Sequence, residues 1–276
     1  MRPLSDYEHL VYEQRGPVTI ITINRPERMN AIGPQTHLEL VDAWDRFRSD
    51  DDALVGVLTG AGDQAFCAGG DLKAALAGEL AVDASPGDGV LGPSRWTDVY
   101  KPTIAAVNGV AYAGGLEWAC WTDLAIAAEH ATFGVTCRRW NIGLADGGTQ
   151  RLTRILGYRR AIELIITGRV IDAREAERIG LVNQVVPRGT CLQRAIELAE
   201  TIAGLPQPAL RSDLEAARTG QGRPLDEGLR IEAKCFNRSI VAAETHEGLR
   251  QFNERDHPDR RADTAPVTPG LIRSAG

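Results

Sequence analysis

The sequence has no excess of positive charge, no paired-cysteine motif, no closely spaced histidines and no apolar run long enough to cross a membrane. Each absence removes a class of function. The 276 residues carry 31 Lys and Arg against 37 Asp and Glu, a net charge of −6. A nucleic-acid binder normally shows a basic face, so that role is disfavoured. A small anionic ligand stays open, because local Lys and Arg decide it. The five cysteines (Cys67, Cys120, Cys137, Cys191 and Cys235) are odd in number and widely spaced, with no CxxC. A reduced intracellular protein is expected, and neither a disulfide framework nor a zinc site. His9, His37, His130, His246 and His257 form no HxxxH pair, so no metal centre is expected. The N-terminal Met1–Asp6 lacks an apolar signal core. The charge-free stretch 102–116 is shorter than the roughly 20 residues a spanning helix needs, and it holds Asn108 and several glycines. A cytoplasmic protein without membrane or nucleic-acid partners is expected.

What is present is glycine placed at corners. Phe66-Cys67-Ala68-Gly69-Gly70-Asp71-Leu72-Lys73 and Asn108-Gly109-Val110-Ala111-Tyr112-Ala113-Gly114-Gly115-Leu116-Glu117 each follow an apolar strand. Together the two corners can aim two backbone N–H groups at one oxygen. The 43% hydrophobic content supports a substantial core. Residues 7–15 and 18–23, separated by Gly16-Pro17, read as a hairpin. A helix is expected from Pro34 to Arg48, with strands at Leu54–Thr59, Thr103–Val107 and Leu124–Ala128 and a helix start at Gly114–Trp121. Residues 78–93, rich in Gly, Pro, Asp and Ser, read as a mobile surface segment. The class is α/β with buried strands. Beyond residue 150 helical patterns dominate: Thr149–Leu156, Arg159–Thr167, Ala173–Ile179, Leu192–Leu205, Ala209–Arg218 and Leu225–Ile240, with one strand at Leu181–Val186. The tail from Asp256 reads as loosely held.

Each motif has a plainer reading beside the functional one. Gly60-x-Gly62-x-x-Ala65 mimics a dinucleotide fingerprint, but Phe66-Cys67-Ala68-Gly69-Gly70 breaks the helix that a pyrophosphate would need. Gly69-Gly70 lets a ligand approach the backbone closely, or simply makes a strand-to-helix turn. Gly114 would sit at the positive end of a helix dipole, where negative charge is stabilised. Glu117 follows on the first turn among Val110, Ala111, Leu116, Trp118 and Ala119. Apolar surroundings raise a carboxylate's pKa and suit it to acid–base work near neutrality; alternatively Glu117 only complements its helix N-terminus. Asp146, just before Gly147-Gly148, is either a second functional carboxylate or an N-cap. Arg138-Arg139 is read as a solvated or paired face ahead of a phosphate contact.

Taken in order, these residues resemble one family. Asn24-Arg25-Pro26, Asn30-Ala31, Phe66 to Lys73, Ala106-Val107-Asn108-Gly109, Gly114-Gly115-x-Glu117 and Gly147-Gly148-Thr149-Gln150-Arg151-Leu152 follow the pattern of the crotonase superfamily, the enoyl-CoA hydratase/isomerase family, over roughly residues 8–255. The resemblance implies a crotonase-like spiral of ββα units over 1–200 carrying the acyl-CoA site. It also implies a helical C-terminal section over 201–276 that builds a homotrimer or a dimer of trimers. By motif position, Gly70 and Gly114 supply the oxyanion hole and Glu117 is the principal acid/base. Arg28, Ala68, Asp71, Leu72 and Lys73, with the two oxyanion glycines, match the CoA-binding positions. The family's second glutamate falls at Cys137, a departure that leaves Asp146 as the natural substitute and Cys137 as a pocket residue of undetermined role.

The implied substrate is an acyl-CoA thioester, with coenzyme A part of the substrate and no separate cofactor. The implied reaction adds water across the 2,3 double bond of a 2-enoyl-CoA through an enolate. Two rivals follow from Cys137: an enoyl-CoA double-bond isomerase, and an acyl-CoA-binding protein that has lost the chemistry. Acyl chain length and branching are not legible; specificity is expected from the pocket wall, partly the 78–93 segment.

Overall fold

The computed structural model describes residues 7–79 and 87–255. The expected tail from Asp256, and residues 80–86 of the expected surface segment, lie outside the described residues. The chain divides at Gly204/Leu205 into two compact units.

The first unit opens with the expected hairpin. Strands β1 (Leu10–Arg15) and β2 (Val18–Ile23) pair antiparallel around Gly16, whose φ of 56° suits a tight turn. Helix α1 (Pro34–Ser49) follows, with Pro34 at its first turn, where the missing N–H costs nothing. A pattern then repeats three times. β3 (Val55–Gly60), β4 (Ala65–Cys67) and α2 (Leu72–Leu76) form the first repeat. β5 (Thr103–Val107), β6 (Val110–Tyr112) and α3 (Gly114–Trp121) form the second. β7 (Leu124–Ala128), β8 (Thr132–Gly134), a 3-10 turn (Thr136–Trp140) and α4 (Gly148–Leu156) form the third. α5 (Tyr158–Thr167), β9 (Val170–Asp172), α6 (Ala173–Arg178), β10 (Gln184–Val186) and α7 (Cys191–Ala203) complete the unit.

The first strand of each repeat joins one sheet and the second joins another. The larger sheet has the order β1-β2-β3-β5-β7-β10 and the smaller β4-β6-β8-β9. Within each, the repeat strands are parallel neighbours. The chain therefore climbs one strand spacing, about 4.8 Å, with every coil. In the larger sheet, alternate side chains go to opposite faces. Val18, Ile20, Val55, Val57, Ile104, Ala106 and Ile126 pack with Ala195, Ile196 and Ala199 of α7. Ile21, Ile23, Leu58, Ala105, Val107 and Ala125 join Trp44 and Phe47 of α1 and Leu116 and Trp118 of α3. Both faces are covered, which is why these strands read as continuous apolar runs.

Two asparagines fix the turns between sheets. Asn30 Nδ2 donates to the carbonyls of Ala61 (3.0 Å) and Ala65 (2.7 Å), and Oδ1 accepts from Arg25 N (3.0 Å). Asn108 Nδ2 donates to the carbonyls of Gly60 and Gly62, both at 2.7 Å, and its Oδ1 accepts from Gly60 N at 3.2 Å. One asparagine thus ties the corner of the second coil to that of the first.

The second unit contains α8 (Gln207–Gly220), α9 (Leu225–Ser239) and α10 (Ala243–Arg255). α8 and α9 pack together, with Arg238 bridging to Glu215 at 2.6 Å. Leu225, Leu229 and Phe236 of α9 and Leu249 and Phe252 of α10 are exposed. No helix of the described residues is long and apolar enough to cross a membrane.

Two features go unread in the sequence, the expected strand Leu181–Val186 shortens to Gln184–Val186, and one loop differs from its expected character. The whole smaller sheet goes unread, because its strands have three residues each and its pairing rests on backbone hydrogen bonds rather than a hydrophobic period. Helix α10 also goes unread; its apolar residues are exposed and set among charges. Of the expected mobile surface segment, Leu91, Gly92 and Pro93 are buried, while Val90 and Leu91 line the cavity, in keeping with the expected share of this segment in the pocket wall. Gly60-x-Gly62 leads into β4 and not into a helix, so no dinucleotide turn forms.

Replacing Asn108 with Ala leaves the Gly60 and Gly62 carbonyls and the Gly60 N–H without these partners. The expected loss is roughly 2–3 kcal/mol of stability, read as a lower urea midpoint at unchanged slope.

Candidate active site

The two glycine corners sit at the same point of successive coils. Gly69 and Gly70 follow β4, and Gly114 follows β6, its parallel neighbour. Gly69 adopts φ 97°, and a Cβ there would lie 3.0 Å from the Gly114 nitrogen. Only glycine allows that approach. The first corner is clamped by the loop ahead of α1: Ala68 N donates to Met29 O, Ile32 N to Gly69 O and Asp71 N to Ile32 O, at 3.0, 2.8 and 2.9 Å. Arg25 reinforces the clamp through Ala31 O (2.6 Å) and Asp71 Oδ2 (3.3 Å). In the second corner, Ala113 is held at φ 49°, ψ −116°, a conformation that glycine normally occupies. Its N–H donates to Gly134 O at 2.9 Å. Gly70 and Gly114 both line one cavity. Their N–H groups donate to no backbone carbonyl among the described residues.

Glu117, on the first turn of α3, is buried with 2% exposure and lines the same cavity. Its Oε1 accepts from Gly148 N at 2.7 Å and from Asp146 N at 2.9 Å. These amides stand at the start of α4, so Glu117 complements a different helix from its own. They favour the carboxylate, yet burial outweighs them. Burial first, then the charge of Asp146, raises Glu117 to about 7. A Cβ on Gly148 would lie 2.7 Å from Glu117 Cγ, so glycine is needed to let the carboxylate reach these donors.

Asp146 is also 2% exposed and lines the cavity. It is not the N-cap of α4; that position is Gly147, at φ 96°. Asp146 Oδ1 accepts instead from Leu91 N at 3.0 Å and from Ser94 Oγ. Cys137, in the 3-10 turn after β8, lines the cavity too, and burial followed by the charge of Glu117 pushes its thiol up.

The cavity has a volume of about 430 Å³. Ala68, Gly70 and Leu72 come from the first corner, Ala113 and Gly114 from the second, and Thr136 to Asp146 form much of the opposite wall. The other motif residues lie off it. Arg28 and Lys73 are exposed and do not line it. Asp71 caps α2 by accepting from Lys73 N at 3.1 Å and pairs with Arg25, so its carboxylate is occupied within the fold. Arg138 Nε donates to Ile165 O (3.2 Å), and Arg139 is exposed. Val90 and Leu91 come from the 78–93 segment expected to form part of the pocket wall. Sequence reasoning misses Trp140 and Ile142 as lining residues and Ser94 as a partner of Asp146; nothing in the local pattern separates them from ordinary loop residues. The five cysteines are free and buried. No group of three or more His, Cys, Asp or Glu is placed to hold a metal ion among the described residues.

A coil of ββα units followed by a helical section is the crotonase fold. Comparison with known proteins agrees. The family model for enoyl-CoA hydratase/isomerase matches residues 13–261. The chain is 38% identical to the enoyl-CoA hydratase EchA19 of Mycobacterium tuberculosis, over 90% of this chain and 94% of that protein. It is 40% identical to a probable enoyl-CoA hydratase of Rhizobium meliloti, over 89% and 95% respectively. The crystal structure of enoyl-CoA hydratase EchA1 from Mycobacterium marinum superposes with a TM-score of 0.84 at 36% identity, covering 90% of this chain and 96% of that one. The chain belongs to the enoyl-CoA hydratase/isomerase family, as an enoyl-CoA hydratase-like enzyme.

The raised Glu117 fixes the sign of one pH effect. In the unfolded chain the carboxyl ionises near 4.5, and in the folded protein near 7. Between these values the folded state holds the extra proton, so stability falls as pH rises from about 4.5 to about 7. Above pH 7 the full cost, roughly 3 kcal/mol, is present. Glu117→Gln keeps an oxygen acceptor for the two amides and removes the charge. The variant should melt several degrees above the wild type at pH 8, with the difference shrinking to near zero by pH 4.5.

Proposed function

We propose that the cavity takes the acyl end of a 2-enoyl-CoA thioester with its carbonyl oxygen against the N–H groups of Gly70 and Gly114. In this reading the Glu117 carboxylate takes a proton from a water molecule. The water oxygen bonds to C3, the C2–C3 π pair moves toward C1, and the thioester oxygen becomes an enolate. Collapse of the enolate then draws a proton onto C2. Glu117 holds the proton that water released, and Asp146 is the second carboxylate placed to share the acid and base roles. The product is a 3-hydroxyacyl-CoA, and every atom of the added water is accounted for.

The observation that carries this reading is the pair of amides without backbone partners beside a carboxylate raised to about 7. An α-proton next to a thioester is too weakly acidic to move unaided. Donors aimed at the developing oxyanion lower that barrier, and losing one costs about 10²–10³ in rate. A base with a pKa near the working pH is poised between its two forms. Coenzyme A enters as part of the substrate. The family's second glutamate is absent, with Cys137 in its place, so the second carboxylate role falls to Asp146, which shares the cavity with Glu117.

Crotonyl-CoA hydration, followed by loss of the conjugated thioester absorbance, tests the reading. Wild-type kcat/KM should climb with pH through about 7 as Glu117 ionises. Glu117→Gln should reduce kcat by roughly 10²–10⁴. Undiminished turnover in the variant removes Glu117 from the mechanism. A wild-type protein that converts a 3-enoyl-CoA to the conjugated product and forms no water adduct would be an isomerase. Tight binding of the thioester without turnover would leave a binding protein.

Gly69→Ala provides a separate check on the amides. Its Cβ would crowd the Gly114 nitrogen at 3.0 Å. The expected result is a fall of about 10²-fold in kcat, larger than its modest thermal destabilisation accounts for.

A further inference from the structure

The turn from Gly89 to Ser94 makes contacts that the chemistry above leaves unused. Ser94 is fully buried, and its hydroxyl donates to Asp146 Oδ1. The Leu91 N–H donates to the same oxygen at 3.0 Å. No side chain or amide among the described residues donates to Oδ2. The carboxylate is thus held through Oδ1, in a residue that lines the cavity.

The grip is itself anchored. Gly89 N donates to Gly92 O at 2.7 Å and closes the turn. Gly92 N donates to His37 Nδ1 of α1 at 2.8 Å. Trp118 Nε1 donates to Leu91 O at 3.0 Å, and Trp118 is the residue after Glu117. A Cβ on Gly89 would overlap both Ser94 Oγ and Asp146 Oδ1, so the turn closes directly over this pair. Leu91 also reaches the second glycine corner, since a Cβ on Gly114 would overlap its Cδ1. One turn therefore touches Asp146, the helix carrying Glu117 and the Gly114 corner.

We infer that Ser94 is a positioning residue for Asp146, and that the 89–94 turn sets the orientation of that carboxylate relative to Glu117. The inference rests on the reading of Asp146 as the second carboxylate of the reaction. Ser94 need not touch the substrate. It acts by holding Asp146 Oδ1, so its loss should affect the chemical step and leave substrate binding intact.

The test is a double-mutant cycle on crotonyl-CoA hydration with kcat and KM measured separately. Ser94→Ala should lower kcat roughly ten- to a hundredfold, the range for losing a hydrogen bond to a charged group, with KM held within about twofold. Placed in an Asp146→Asn background, Ser94→Ala should cause no further loss. Ser94→Cys keeps the side-chain connectivity with a somewhat larger atom and exchanges a strong donor for a weak one. It should show the same pattern, and it serves if the alanine variant does not fold. An unchanged kcat in a folded Ser94 variant, or an equal loss with and without Asp146, overturns the positioning role alone. Wild-type kcat in Asp146→Asn overturns the second-carboxylate reading beneath it.

Discussion

The pairing of β4 with β6 sets the dimension on which the site depends. Parallel strands lie about 4.8 Å apart, and each of these two ends in a glycine corner opening a helix. Their pairing therefore brings the two corners close together. Gly69 shows how close the approach is, since any side chain there would press on the Gly114 nitrogen. In the proposed reading the coil converts this backbone repeat into two donors that share one target. Asn30, Asn108 and the loop from Arg25 to Ile32 hold the coils at that spacing through side-chain and backbone bonds to successive turns.

Around this frame the carboxylates are placed by parts of the chain far away in sequence. Glu117 leaves α3 and is met by amides at the start of α4, some thirty residues on. Those amides stabilise its charge, but burial at 2% exposure opposes them more strongly. The net result is a carboxylate poised near neutrality at a cost in folding stability, the balance expected where activity and stability conflict. Asp146 is gripped from the other side by the 89–94 turn. The strained backbone at Ala113 belongs to the same pattern: a conformation the fold imposes just where the chain must turn into the helix that carries Glu117.

Much of this was legible in the sequence, for identifiable reasons. Thr103–Val107 announces itself as an apolar run, and Ala113-Gly114-Gly115 as the helix start that follows it. The apolar neighbours of Glu117 foretell its raised pKa. The second sheet was not legible, because three-residue strands such as Val110–Tyr112 carry no period and their pairing is a main-chain property. The Gly- and Pro-rich stretch near residue 90 has the composition of a surface loop, yet Leu91 and Ser94 are buried. Composition does not show that a turn folds inward when its backbone meets partners on α1, α3 and a distant carboxylate. The same limit hides the partners of Asp146, which local spacing presents as an ordinary helix cap.

The oxyanion donors in this reading are peptide groups and not side chains. No exchange of one side chain for another removes them, short of proline or a clash at the glycines. The electrophile-activating half of the site is thereby insulated from mutational drift, whereas the proton-handling half is exposed to it residue by residue. In the proposed reading Cys137 stands where the family resemblance expects an acid, so one wall differs in its chemistry while the backbone cradle beside it is kept. A scaffold partitioned in this way can acquire new reactions on activated thioesters by altering a few lining residues, without reinventing the step they share.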